Sequence, residues 1–244
     1  MTATAIAHRG EPVGHRENTL PAFEAAVTLG ADMVEIDLRR TRDGSIVVLH
    51  DQTLDRLWGR AASVGDVDLA EVAALGEGDV RIPTLSAVLR AVAVPLMVDF
   101  TRREVVPGAL QAVQEAGALP RCLFVTGNVA ALQQLRARSP AARLGLTWVD
   151  GPEPPLALLD DLAAEYWNPM SAVLTAEGVH AVHEAGRRVS TWTVDTPEEM
   201  TRVLEAGADA VVSNRIAALL AHLGRESSSP AAGGASAEEP DGVL

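Results

Sequence analysis

The sequence predicts one closed (β/α)8 barrel over residues 1–224, with a small insertion at about 38–83, after the second strand. Three observations lead there. A helix end, a glycine and a short apolar strand recur in "TLGADMVEID", "EAGALPRCLFVT", "EAGRRVSTWTV" and "EAGADAVVSN". Glycine just past a helix supplies a left-handed cap at little steric cost, and repeated helix-to-strand units build a parallel sheet. Eight strand–helix pairs then fit the folded length, as a closed barrel requires. Finally, "MVEIDLRRTRDGSIVVLHD" has no room for a helix between its apolar runs, which marks an excursion from the alternation. An open doubly wound sheet is the competing architecture, but it rarely needs eight parallel strands.

The predicted strands are 4–8, 33–37, 96–100, 121–126, 143–147, 164–168, 189–193 and 210–213. The predicted helices are 20–29, 85–92, 105–115, 129–138, 156–163, 175–185, 197–205 and 216–223. Asp43-Gly44 in the excursion reads as a two-residue hairpin turn. That register sets Asp37 opposite His50 and Glu35 opposite Gln52. Period-two alternation then puts Glu35, Asp37 and His50 on one face, with Val34, Ile36, Leu38, Val47 and Leu49 on the other. The last twenty residues, "RESSSPAAGGASAEEPDGVL", lack an apolar period and read as a disordered tail over 225–244.

Composition narrows the class of function. Of 244 residues, 48% are hydrophobic but only 3% aromatic, so an aliphatic core is expected. The net charge of −13 comes without a basic run, which argues against a nucleic-acid partner. A small anionic ligand stays open, because one arginine and one metal ion reverse the sign locally. The single cysteine, Cys122, sits in the apolar run "RCLFV" and reads as a packed thiol. With neither a basic-apolar leader nor a stretch long enough to span a bilayer, a cytoplasmic protein without an integral membrane segment is expected.

Barrel sites form at the C-terminal strand ends. Those ends carry His8 and Arg9, Glu35 and Asp37, Asp99, Thr126, Asn168, Trp192 and Asn214, with the charge on the first three strands. Glu35 and Asp37 share a strand face, and carboxylates crowded together repel unless a hard cation lies between them. Acid-x-acid on a strand is usually just solvated. It gains meaning here beside His8, Arg9, His50 and Asp99. His180 and His183 stand one helical turn apart without a third ligand and read as surface residues, as does His222.

These stretches, "AHRG", "HRENTLPAFEAAVTLGADMVEIDLRRTRDGSIVVLHDQTLDR", "IPTLSAVL", "STWTVDTPEEM" and "GADAVVSN", resemble the glycerophosphodiester phosphodiesterase family over nearly the whole folded region. The resemblance implies a (β/α)8 barrel that hydrolyses glycerophosphodiesters to glycerol 3-phosphate and an alcohol with a divalent cation, Mg2+ or Ca2+. It implies His8 and His50 as the general acid/base pair, and Glu35, Asp37 and Asp99 as metal ligands. Arg9 is implied at the phosphate, Trp192 at the glycerol portion, and Glu17 and Asn18 as substrate-side residues shaping the mouth. The chain departs where the family usually carries a glutamate and, two residues on, a lysine: here stand Asp99 and Thr101. Arg102 or Arg103 is the nearest replacement charge. The departure leaves two further readings, a noncatalytic phosphodiester-binding relative and a lysophospholipase D or phospholipase-C-like enzyme. The order of the two histidines and the nucleophile, water or the glycerol 2-hydroxyl, stay open.

Overall fold

The computed structural model describes residues 3–225. The elements run β1 Thr4–Ala7, α1 Leu20–Leu29, β2 Met33–Arg40, β3 Ile46–Val48, β4 Thr53–Leu54, α2 Asp55–Trp58, β5 Arg60–Ser63 and α3 Leu69–Ala73. They continue with α4 Leu85–Ala91, β6 Leu96–Asp99, α5 Val106–Glu115, β7 Cys122–Thr126, α6 Val129–Arg138, β8 Arg143–Trp148 and α7 Leu156–Asp161. The last are β9 Tyr166–Pro169, α8 Ala176–Glu184, β10 Arg188–Thr191, α9 Pro197–Glu205, β11 Ala210–Ser213 and α10 Ile216–His222. Strands β1, β2, β6, β7, β8, β9, β10 and β11 pair in parallel in that order, and β11 returns to β1, so the barrel closes on itself.

The four glycines that suggested helix-to-strand units, Gly30, Gly117, Gly186 and Gly207, all have positive φ, between 62° and 98°. Between barrel and helices lies an apolar, mostly aliphatic layer that includes Val34, Ile36, Leu38, Val98, Phe124 and Leu144. Inside the barrel a smaller cluster, with Ile6, Met33, Met97, Leu123 and Tyr166, plugs the lower end. The C-terminal strand ends are left to form a mouth. Cys122 is buried against its neighbours, and burial pushes its thiol up to about 11, which makes it an inert packing residue.

The excursion is real, but its register differs by one residue from the expectation. Leu38 pairs with Val48 and Arg40 with Ile46, and the Leu49 amide donates to the Asp37 carbonyl. The turn is a three-residue loop, Arg42-Asp43-Gly44, closed by the Thr41 amide on the Ser45 carbonyl at 3.0 Å, with Gly44 at φ 91°. A slip of one residue reverses the faces. Ile46 and Val48 therefore join Leu38 in the main core, while Val47 and Leu49 anchor a separate core with Leu54, Val64, Val67, Val72 and Ile82. That second core makes the insertion a packed appendage rather than a loose loop. His50 still reaches the mouth, because the chain leaves the ladder after Val48.

Strands β1 and β10 end at Ala7 and Thr191, so His8 and Trp192 stand just past the strand ends instead of within them. Of the expected tail, only Arg225 belongs to the described residues: its guanidinium bonds both carboxylate oxygens of Asp32, at 2.5 and 2.8 Å. The other tail residues lie outside the described residues. None of the described helices is long and apolar enough to cross a membrane.

Gly10 fixes how the chain leaves β1. Its φ is +89°, and a Cβ there would lie 2.7 Å from the Ala22 carbonyl carbon and oxygen on α1. Gly10→Ala should cost about 2–4 kcal/mol, from left-handed strain and overlap together. A chemical denaturation midpoint unchanged from wild type would contradict this close packing.

Candidate active site

The mouth encloses a cavity of about 230 Å³ with two unlike halves. One half carries His8 and Arg9 after β1, Glu35, Asp37 and Arg39 from β2, His50 after β3, and Asp99 and Thr101 at the end of β6. The other is neutral, built from Val125, Thr126, Gly127, Thr147, Asn168, Trp192 and Val212. The Trp192 indole N–H donates to the Asn168 carbonyl at 3.1 Å, and Asn168 Nδ2 donates to Thr147 Oγ1 at 3.2 Å.

Strand geometry builds the acidic cluster. Glu35 and Asp37 project the same way as i and i+2, and the parallel register sets Asp99 directly beside Asp37. One oxygen from each of the three carboxylates lies within 4.8 Å of the others. Burial, then repulsion by Asp37 and Asp99, holds the Glu35 carboxyl well above the usual range. Burial and Asp37 push Asp99 up to about 7. An all-oxygen set under this strain suits a hard divalent cation, and these three side chains could hold one.

Cations and amides crowd the same wall. The Arg9 amide donates to Glu35 Oε2 at 3.0 Å, and Arg9 Nε stands 3.2 Å from Asp37 Oδ2. Arg9 has φ 58°, a strained conformation for arginine, held by this amide bond and by a second to the Glu35 carbonyl at 3.1 Å. His8 bonds Asn214 Oδ1 through Nδ1 at 2.8 Å and turns Nε2 toward Glu35 Oε2, 3.9 Å away. Burial, and then Arg9, holds its pKa below the ordinary histidine value against opposing bonds and charges. His50 Nδ1 meets Asp51 Oδ1 at 2.8 Å.

Residues 8–218 match the sequence model of the glycerophosphoryl diester phosphodiesterase family. The chain belongs to that family. A relative named glycerophosphodiester phosphodiesterase, from Caldanaerobacter subterraneus subsp. tengcongensis, is 30% identical over 230 residues, 88% of this chain and 95% of its own. A probable glycerophosphodiester phosphodiesterase 2 from Mycobacterium tuberculosis is 30% identical over 236 residues, covering 86% of this chain and 87% of that protein. Among solved structures, an Oleispira antarctica phosphodiesterase in complex with the product sn-glycerol-3-phosphate superposes with a TM-score of 0.84. It is 23% identical and is matched over 90% of this chain and 96% of its own, which speaks to the fold. Membership places the chain among the phosphodiesterases, in agreement with the motifs read from the sequence.

Within this phosphodiesterase mouth, His8, His50, Arg9, Glu35, Asp37, Asp99 and Trp192 all line the cavity. Glu17 and Asn18 do not: they stand behind it. Glu17 Oε1 holds Arg9 Nη1 at 3.1 Å, while Asn18 Nδ2 donates to Asp37 Oδ2 at 2.8 Å. The two residues aim side chains that face the cavity instead of facing it themselves. Arg102 and Arg103 do not line the cavity either, and Arg102 reaches Gln52 at 3.3 Å. His180, His183 and His222 lie on outer helices, paired with Glu184, Asp209 and Thr201.

Two arginines escaped the sequence reading. Arg39 continues the Glu35–Asp37 face by two residues, the one signal that would have found it. It lines the cavity, donates to the Leu38 carbonyl at 2.9 Å and to the His50 carbonyl, and leaves a buried Nε without a partner. Arg56, on α2 of the insertion, closes the motif stretch ending in "HDQTLDR", which assigned it no role. Its Nη2 holds Glu17 Oε1 at 2.6 Å and its Nε holds Asp51 Oδ2 at 2.5 Å. That second bond is the main reason Asp51 is held down to about 2. Arg56 thus ties the carboxylate behind Arg9 to the carboxylate behind His50.

Two outcomes follow from this wiring. A carboxyl with a raised pKa stabilises the fold fully below the ordinary carboxylate range, and that contribution is lost as pH rises through about 7 for Asp99. In chelator, Asp99→Asn should therefore melt above wild type at pH 8, with a gap that narrows toward pH 5. A constant difference would contradict the repulsion. Arg56→Met should keep the barrel's circular dichroism but lower phosphodiesterase turnover about 10–100-fold, and full turnover would show that the Glu17 and Asp51 ties are idle.

Proposed function

We propose that the chain hydrolyses glycerophosphodiesters to glycerol 3-phosphate and an alcohol in this mouth, using a divalent cation, Mg2+ or Ca2+, and general acid/base help from His8 and His50. The observation that carries this reading is the convergence of both histidines with three carboxylates and Arg9 on one cavity. Family membership and the names of the relatives support the substrate class.

Glu35, Asp37 and Asp99 would hold the cation, which when bound supplies charge neutralisation at the phosphate oxygens. Arg9 binds the phosphodiester as a planar, permanently charged donor, aimed by Glu17 and by its own amide bond to Glu35. Arg39 keeps a second fixed positive charge on the same wall, on the strand next to Thr101, and pins the backbone of His50. One histidine accepts the proton of the attacking hydroxyl and the other returns a proton to the departing alkoxide. Asp51 orients the His50 ring, Asn214 orients the His8 ring, and the neutral wall with Trp192 and Asn168 receives the glycerol portion.

The shortened acid at Asp99 is no ground for the binding-only reading, because its oxygen still closes the three-carboxylate cluster. The barrel brings β6 directly beside β2, so aspartate reaches where a longer glutamate is not needed.

His8→Ala and His50→Ala should each lower kcat on glycerophosphocholine or glycerophosphoethanolamine by about 10²–10⁴-fold, with folding unchanged. Chelation should abolish turnover of the wild type, and the thermal shift on adding Mg2+ or Ca2+ should grow from pH 5 to pH 8 as protons cease to compete for Asp99. Turnover that survives chelation, or survives in both histidine variants, would overturn the reading. Faster turnover of acylated than deacylated substrates would redirect it to lysophospholipase D-like chemistry.

A further inference from the structure

Asp195 and Asn214 lie outside the cavity wall, yet their hydrogen bonds lead to a histidine that lines it. Asp195, in the turn after β10, receives the Asn214 backbone N–H on Oδ1 at 2.8 Å and the Ser213 hydroxyl on the same oxygen at 3.1 Å. Its Oδ2 receives Asn214 Nδ2 at 2.7 Å. An ionised carboxylate only accepts. The side-chain amide of Asn214 therefore has a single orientation, Nδ2 toward Asp195 and Oδ1 toward His8. Asn214 Oδ1 stands 2.8 Å from His8 Nδ1, and a carbonyl oxygen also only accepts. The proton on this edge of the imidazole must then sit on Nδ1.

The backbone holds the same geometry from the other side. The His8 amide donates to the Ser213 carbonyl at 2.9 Å, so β1 and β11 fix both the main chain and the ring of His8 against one turn. Asp195 is held in turn through its own amide, which donates to Glu199 Oε2 at 3.4 Å. The two histidines differ in what lies behind them: His50 bonds a carboxylate directly, whereas His8 bonds a neutral amide whose direction a carboxylate sets.

We propose that Asp195 and Asn214 are positioning residues, a two-step relay that locks neutral His8 as its Nδ1–H tautomer and turns a bare Nε2 lone pair into the mouth. The inference rests on the proposed hydrolytic function for its consequence, that His8 stands ready to accept a proton, but not for the tautomer itself. In the Asp195→Asn variant the neighbour of Asn214 both donates and accepts. Asn214 is then free to turn its Nδ2 toward His8, and the other tautomer becomes accessible. In the double variant Asp195→Asn/Asn214→Asp, donor and acceptor exchange places while the group facing His8 Nδ1 still accepts.

The test reads long-range 1H–15N correlations of the histidine side chains at pH 8, where a neutral imidazole is expected, with and without added Mg2+. The His8 signal is assigned by its loss in His8→Gln. Wild type should show Nδ1–H at His8, Asp195→Asn should show a mixture or Nε2–H, and the double variant should return to Nδ1–H. In steady-state hydrolysis of glycerophosphocholine, Asp195→Asn should lose about 10–100-fold in kcat with KM changed little, and the double variant should recover most of it. An Nε2–H tautomer in wild type overturns the relay by itself, as does an Asp195→Asn variant with wild-type tautomer and kcat. Nδ1–H in a wild type that hydrolyses no glycerophosphodiester would keep the relay and overturn the function. A misfolded single variant beside a folded, active double variant with Nδ1–H supports it, because only the exchange of donor and acceptor separates the two.

Discussion

Three carboxylates that a parallel register forces together set the terms for the rest of the mouth. Asp37 and Asp99 are neighbours because β2 and β6 pair in parallel, and Glu35 joins them because residues two apart on a strand face the same way. Burial first, and then repulsion from the neighbouring carboxylates, makes that arrangement costly and holds Glu35 and Asp99 protonated above the usual carboxylate range. The surrounding residues offset part of the cost: the Arg9 amide and guanidinium, the Asn18 amide and the buried Arg39 all bring donors or positive charge to this wall. The remainder is the physical case for a cation.

The histidines are held by separate devices, and only that of His50 is built on the insertion. His50 rides at the end of the excursion from β2, with Asp51 behind its ring and Arg39 on its carbonyl. His8 is set by the far side of the barrel, through the turn after β10 and the end of β11. Arg56 joins the support of His50 to the support of Arg9. The insertion, stabilised by its own apolar core, therefore contributes to the mouth as well as decorating the barrel.

Much of this could be read from the sequence, for identifiable reasons. The barrel was legible because Gly30, Gly117, Gly186 and Gly207 each announce a helix end before an apolar strand, and a left-handed cap is a local, glycine-specific event. Glu35 and Asp37 were legible as a pair because strand parity is local too. The hairpin register was not, since Asp43-Gly44 fits both a two-residue turn and the end of a three-residue loop. That one-residue difference turned Val47 and Leu49 from the barrel core to the insertion core. Arg56 was hidden for another reason: its partner Glu17 lies 39 residues away and across a fold boundary. The supporting roles of Glu17 and Asn18 were hidden likewise, because a motif shows which residues gather near a site but not which of them face it.

In the proposed function the acidic cluster of the mouth gives up its protons to one divalent cation. Calorimetric titration of Mg2+ or Ca2+ at pH 7, repeated in buffers of different ionisation enthalpy, reads both stoichiometry and proton release. One cation per chain, with protons expelled on binding and both signals lost in Asp99→Asn, is the predicted result. Absence of saturable binding, or binding that releases no protons and survives Asp99→Asn, would contradict it.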